Sequence, residues 1–268
     1  VTDSPRPTRV VLATRPDGRV RLDLHAGPLV PRVIDRDGTT AEVALVSGGA
    51  LLLGGDRVDL EIEVGDGCSL DLVDIGGTVA YDGEGRPSWW NARITLGRDA
   101  HLAWNSLPFV VSTGANVRRL TQVTLADEAT LLLRETLVLG RSREEGGRLE
   151  TTTTVTGRES PVLVESLFLD GRYGVPGVAD GHRVIDSLLL AGRRAPSVSD
   201  GKANGSSGDR APGEALFLPL EQPGTLARWL GRETHRSPVA AIWDAWRTPP
   251  SADQGTRVDE AVSSGRCE

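Results

Sequence analysis

Val58-Asp-Leu-Glu-Ile-Glu-Val64-Gly-Asp-Gly-Cys-Ser-Leu70 is the stretch that decides how this chain folds. Up to Val64, the apolar Val58, Leu60, Ile62 and Val64 alternate with Asp59, Glu61 and Glu63. That is the period of a strand with one buried face. The chain then turns through Gly-Asp-Gly, passes a small residue and resumes strand character at Leu70. The same order returns in Leu96-Gly-Arg-Asp-Ala-His-Leu102 and in Leu125-Ala-Asp-Glu-Ala-Thr-Leu131. The anchors Val64, Leu96 and Leu125 lie 32 and 29 residues apart, and a looser copy begins 30 residues later at Val155, with Gly157-Arg-Glu-Ser-Pro161 as its turn. A period of this length in strand-rich sequence predicts stacked strand layers, each burying its apolar row against the next. A β-sandwich whose hairpins share turn chemistry is the alternative.

Outward from the repeat the texture stays the same. Alternation recurs in Arg19-Val-Arg-Leu-Asp-Leu24, Ala92-Arg-Ile-Thr-Leu96 and Leu120-Thr-Gln-Val-Thr-Leu125, and the threonine run Thr151–Val155 favours strand because β-branched side chains fit a pleated surface. The chain has 268 residues, 38% hydrophobic but only 4% aromatic, so the core must be aliphatic. With 32 glycines and 16 prolines, a helical bundle is excluded in favour of many strands joined by turns. Near the end, Leu226, Trp229 and Leu230, then Val239, Ile242, Trp243 and Trp246, stand at helical spacings broken by Ser237-Pro238. Two short helices are expected there, with Pro238 near the first turn of the second. The expectation is therefore a mostly β fold of helicoidal, solenoid-like strand layers closed by two short C-terminal helices, one domain over 1–268. Residues 193–213, rich in Ser, Gly, Asp and Pro, read as a disordered surface loop, and 248–268 as a flexible tail.

Charge narrows the function classes. The net charge of −7 and pI near 5.3 argue against binding a phosphate backbone. Lys202 is the only lysine, so the other 29 of 30 basic residues are arginine, and it sits in Lys202-Ala-Asn-Gly-Ser-Ser-Gly208 rather than after a phosphate-cradling glycine loop. NTPase chemistry of the P-loop type is excluded. Cys68 and Cys267 are far apart and suggest no disulfide framework. Val1-Thr-Asp-Ser-Pro5 shows no targeting pattern, and no run reaches the roughly 18 apolar residues of a membrane span. A soluble protein of the cytoplasm, with no membrane or nucleic-acid partner, is expected. His25, His101, His182 and His235 form no metal-ligand spacing, and no G-x-S-x-G elbow supplies a nucleophile.

Three groups of residues carry a choice of readings. In Ser47-Gly48-Gly49-Ala-Leu-Leu-Leu-Gly54-Gly55-Asp56 the paired glycines imply close backbone approach or positive φ. Asp56 then either closes the turn by accepting amide hydrogen bonds or faces a polar cavity. The row Asp59, Glu61, Glu63 is either a solvated outer face or a strip that attracts cations. Glu135 stands between Leu131-Leu-Leu-Arg134 and Leu137-Val-Leu-Gly140-Arg141, so it is partly enclosed. An enclosed glutamate needs a partner, for which Arg134 and Arg141 are nearest, or it serves as a carboxylate on an ion's path. Trp89-Trp90 reads as core or partner contact, or as a stacking pair for a sugar.

Taken in order, Gly54-Gly55-Asp56, the alternating strand after it, Thr78-Val-Ala-Tyr81, Leu102-Ala-Trp104 with Pro108, and Glu135 followed by Gly140-Arg141 resemble the urease accessory protein UreD family, also called UreH. Leu226-Ala-Arg-Trp-Leu230 and Ile242-Trp-Asp-Ala-Trp-Arg247 resemble its closing segments. The resemblance implies a non-catalytic assembly factor that joins UreF and the GTPase UreG, binds the urease structural subunits and helps deliver nickel. It implies no tightly bound cofactor, nickel only in transit, and an internal polar passage to which Asp56 and Glu135 contribute, with Gly140 and Arg141 in a structural turn; Gly48, Gly49, Gly54 and Gly55 are read as structural turns from their own spacing. The chain departs from the family's charged pattern at Val79, Ala103 and Gly146-Gly147. A β-rich module that binds carbohydrate or protein is the alternative function, and a hydrolase a third.

Overall fold

The computed structural model describes residues 6–173, 178–196 and 214–247. In chain order its strands are β1 (Thr8–Thr14), β2 (Val20–His25), β3 (Leu29–Asp37), β4 (Thr40–Ser47), β5 (Arg57–Val64), β6 (Ser69–Asp74), β7 (Thr78–Ala80), β8 (Ser88–Leu96) and β9 (His101–Asn105). They continue with β10 (Phe109–Val111), β11 (Asn116–Leu125), β12 (Thr130–Leu139), β13 (Arg148–Thr156), β14 (Pro161–Asp170), β15 (Val184–Ala191), β16 (Leu216–Pro219) and β17 (Gly224–Gly231). One helix, α1 (Val239–Arg247), follows a 3-10 turn at Thr234–Arg236. No described helix is long and apolar enough to cross a membrane.

From β4 to β13 the chain alternates between two sheets. Each coil adds one strand to a seven-stranded sheet, order β14-β13-β11-β8-β5-β1-β2, and one to a ten-stranded sheet whose main path is β16-β17-β15-β12-β9-β6-β4-β3. Successive coil strands lie parallel, and only the flanking pairs are antiparallel. This is the expected solenoid, about four turns long.

Register shows why the repeat works. Val64 pairs with Leu96 and Leu96 with Leu125 in one sheet, while Leu70 pairs with Leu102 and Leu102 with Leu131 in the other. All six are buried, and each such side chain contributes about 1.5–3 kcal/mol when removed from water. At the corners between them the third turn residue has positive φ in every coil: Gly67 at 64°, Asp99 at 53°, Glu128 at 58°. The small fourth residue, Cys68, Ala100 or Ala129, is buried because neighbouring corners stack directly on it. Corner amides continue the ladder, Gly97 N–H donating to Val64 O at 2.8 Å and Ala126 N–H to Leu96 O at 3.0 Å. The spacing of the repeat is thus the length of one coil.

Two local expectations change. The looser copy at Val155 is no corner: Val155 pairs with Val123 rather than Leu125, and Gly157 closes a hairpin that sends β14 back antiparallel along β13. The first of the two expected helices is strand β17, which pairs with β15 and β16. Only the second is helical. Its first turn hydrogen-bonds to Pro238 O, and Val239, Trp243 and Trp246 bury against Leu132, Val184, Leu188 and Trp229 on the outer face of the ten-stranded sheet. Of the stretches read as loop and tail, 197–213 and 248–268 lie outside the described residues.

Candidate functional site

The interior between the sheets is not uniformly apolar. On β11 the inward positions are Val117, Arg119, Thr121, Val123 and Leu125, all buried, so the strand's alternation carries an arginine into the core. On β12, Glu135 faces it from the other sheet. The Nη2 of Arg119 donates to Glu135 Oε1, and the two side chains are only 6% and 16% exposed. Thr121 Oγ1 lies 3.5 Å from the same oxygen. One face of the guanidinium rests on the Phe109 ring, 5.6 Å from its centroid, and Phe109 in turn meets Trp90 edge-on at 5.7 Å. Arg119 Nε and Nη1 and Trp90 Nε1 are buried without a protein partner.

Two small cavities flank this pair. One, of about 10 Å³, is lined by Asp74, Thr78, Trp90, Ser106, Arg119 and Glu135 among others. Asp74 Oδ1 accepts from Trp104 Nε1 at 3.1 Å and Oδ2 from the Leu107 amide at 3.0 Å. Burial pushes the Asp74 carboxyl above its ordinary range, against the lowering effect of those hydrogen bonds and of Arg119. The other cavity, of about 20 Å³, is lined by Glu135, Thr151, Thr153, Glu165, Ser187 and Arg228 with Leu137, Leu167 and Ile185. There Arg228 on β17 grips Glu165 on β14 through two 2.7 Å bonds and donates to Ser187 Oγ at 3.0 Å. A water needs about 10–15 Å³, so both spaces are of water size, and their walls mix carboxylate, hydroxyl and guanidinium groups with apolar side chains. Glu135 lines both.

The partners expected for Glu135 are engaged elsewhere. Arg134 points to the opposite face, as strand alternation requires, and pairs with the fully buried Asp186 at 2.8 Å, which also accepts from Thr136 Oγ1 at 2.9 Å. Arg141 pairs with Glu144 at 2.6 Å in the turn opened by Gly140, whose φ is +74° and where a Cβ would stand 2.6 Å from Glu144 O. The Arg141 guanidinium and the Arg141 and Thr113 amides hold the Glu144 carboxyl down at about 2. Arg119, the true partner, was legible as a charge in phase with Val117 and Val123.

Asp56 closes a turn: its Oδ2 accepts from the Leu53 amide at 2.9 Å, and its own amide donates to Leu53 O. It lines neither cavity, so the structure does not bring it to Glu135, and Asp74 is the second carboxylate there. Of the paired glycines, Gly54 meets the backbone of Gly83, with a Cβ position 2.4 Å from Gly83 O, and Gly55 has φ +96°. Gly48 and Gly49 have no positive φ, and Gly49 has open space around it. Asp59, Glu61 and Glu63 face outward and each meets an arginine: Arg57 at 2.7 Å, Arg9 and Arg93 at 4.0 and 3.5 Å, and Arg9 at 3.3 Å. His101 is exposed beside Asp99, Trp90 is buried in the core, and Cys68 is a buried free thiol. Among the described residues no group of three or more His, Cys, Asp or Glu is placed to hold a metal ion.

Comparison with known proteins bears on this geometry. The family profile described as UreD urease accessory protein matches residues 8–259. Urease accessory protein UreD 1 of Streptomyces griseus is 37% identical over 249 residues, covering 90% of this chain and 92% of that protein. Urease accessory protein UreD 2 of Saccharopolyspora erythraea is 31% identical over 228 residues (82% and 80%), and Urease accessory protein UreD of a Parafrankia strain 34% over 256 residues (82% and 83%). A match over nearly the whole coil and its closing helix, at these identities, means that the chain belongs to the UreD family of urease accessory proteins.

Proposed function

We propose that this chain is a non-catalytic scaffold of the cytoplasm that recruits UreF and the GTPase UreG to apo-urease, and that nickel crosses it between the two sheets on its way to the urease active site. Its membership of the UreD family supports a role in urease maturation. The observation that carries the passage is Glu135: one carboxylate borders both water-sized cavities, so it stands between a space beginning at Asp74 and one ending at Glu165 and Arg228. Carboxylate and hydroxyl oxygens suit an ion in transit, because they hold Ni²⁺ more loosely than a thiolate or imidazole cage. GTP hydrolysis belongs to UreG in this reading, and nickel is cargo rather than cofactor.

The test is co-expression with the urease subunits, UreF and UreG, followed by purification of the complex and metal analysis of the urease. The chain should co-purify with them. Glu135→Gln, which keeps the side chain's shape, should leave the complex intact and lower the nickel content of urease. If no complex forms, the scaffold reading fails; if the complex forms and nickel content is unchanged, the passage fails.

A further inference from the structure

We propose that Arg119 and Arg228 are resident cations that close this route at rest, so that a divalent ion advances only by taking a carboxylate away from an arginine. The inference rests on the passage proposed above. Each cavity is bounded by one such pair, Arg119 with Glu135 and Arg228 with Glu165, and both pairs bridge the two sheets. With the guanidinium in place each carboxylate is already neutralised. An entering metal ion must therefore compete with an internal cation, which keeps its affinity low enough for it to leave again.

The two locks differ in strength. Arg228 is bidentate on Glu165 and also bonds Ser187. Arg119 is joined to Glu135 through Nη2 alone, while its Nε and Nη1, in a side chain 94% buried, have no protein partner. A guanidinium held at one corner beside a cavity can turn on Phe109 toward Asp74, which lines the same cavity. Movement of Arg119 by one hydrogen bond would leave Glu135, which borders both cavities, without its cation. The gate also selects by charge: a hydrated monovalent ion offers Glu135 less than the guanidinium it would displace, whereas a divalent ion offers more.

Titration of the purified full chain with NiCl₂, followed by calorimetry, tests the idea. Arg119→Gln should bind one Ni²⁺ at least about tenfold more tightly than the wild type, and Arg119→Lys, which keeps the charge, should stay close to wild type. The gain should vanish in the Arg119→Gln/Glu135→Gln double variant, and KCl should bind to none of them. The proposal is overturned if Arg119→Gln, folded by its thermal melt, binds no tighter, or if the gain survives loss of Glu135. Should Arg119→Gln not fold, Arg228→Gln with and without Glu165→Gln gives the same comparison at the outer lock, and absence of a gain there overturns it equally. A gain in affinity together with normal urease nickel in Glu135→Gln would keep the resident cations and remove the passage.

Discussion

Removing Glu135 should damage the fold before it says anything about nickel. In Glu135→Ala the Arg119 guanidinium keeps its burial, with a side chain only 6% exposed and two donors already unpartnered, and loses its one ionic partner. What remains is the Phe109 face, worth about 0.5–2 kcal/mol. Breaking one side of a buried pair costs about 3–5 kcal/mol. That is a large part of a total stability of about 5–15 kcal/mol, and at about 2–4 °C per kcal/mol it lowers Tm by roughly 6–20 °C. Glu135→Gln leaves an acceptor oxygen in place and should cost less, about 1–2 kcal/mol. Replacing both partners, Arg119→Met with Glu135→Leu, removes the charges together and should leave stability unchanged or raised by about 1–4 kcal/mol. Equilibrium urea unfolding of wild type, the two Glu135 variants and the double variant measures all of this. The reasoning is refuted if Glu135→Ala lies within about 1 kcal/mol of wild type, or if the double variant is as unstable as the single. The first result would mean that the guanidinium reaches water without Glu135, and the second that lost packing rather than an unpaired charge sets the cost.

The Glu144 carboxyl, held at about 2 by Arg141 and two amides, contributes stability that is present above its unfolded value near 4.5 and is lost as pH falls toward 2. Stability curves of wild type and Glu144→Gln should therefore converge across that window, and an NMR titration should place Glu144 near 2. At the corners, Glu128 adopts φ 58° where the first coil has Gly67. Glu128→Gly relieves a left-handed conformation costing about 1–2 kcal/mol against an entropic loss of about 0.5–1, so a modest rise in Tm is expected, and a fall would show that Glu128 is not strained.

What was legible in the sequence was whatever depends on neighbours along the chain. Alternation in Val58–Val64 and the recurrence of strand, polar turn and small residue specify one coil, and coils that each return to the same corner stack with Val64, Leu96 and Leu125 in a column. The corner geometry that makes Cys68, Ala100 and Ala129 small is local in the same sense. Segment Gly224–Gly231 is a strand and not the expected helix because it lies inside the ten-stranded sheet with α1 over one face and the core under the other. A strand buried on both faces shows no alternation, so Leu226, Trp229 and Leu230 matched a helical period by composition alone. The fourth copy failed for a related reason, since a hairpin and a coil corner use the same turn residues. The interior site was decided by tertiary structure. Alternation alone could place Arg119 and Glu135 inward, but they belong to different sheets, and their pairing depends on how far one sheet is displaced across the other. The same holds for Asp74, enclosed by Trp104 and Leu107, and for Arg228 with Glu165, residues 63 positions apart. Strand period fixes which face a side chain takes, and only the packing of the two sheets fixes what it meets there.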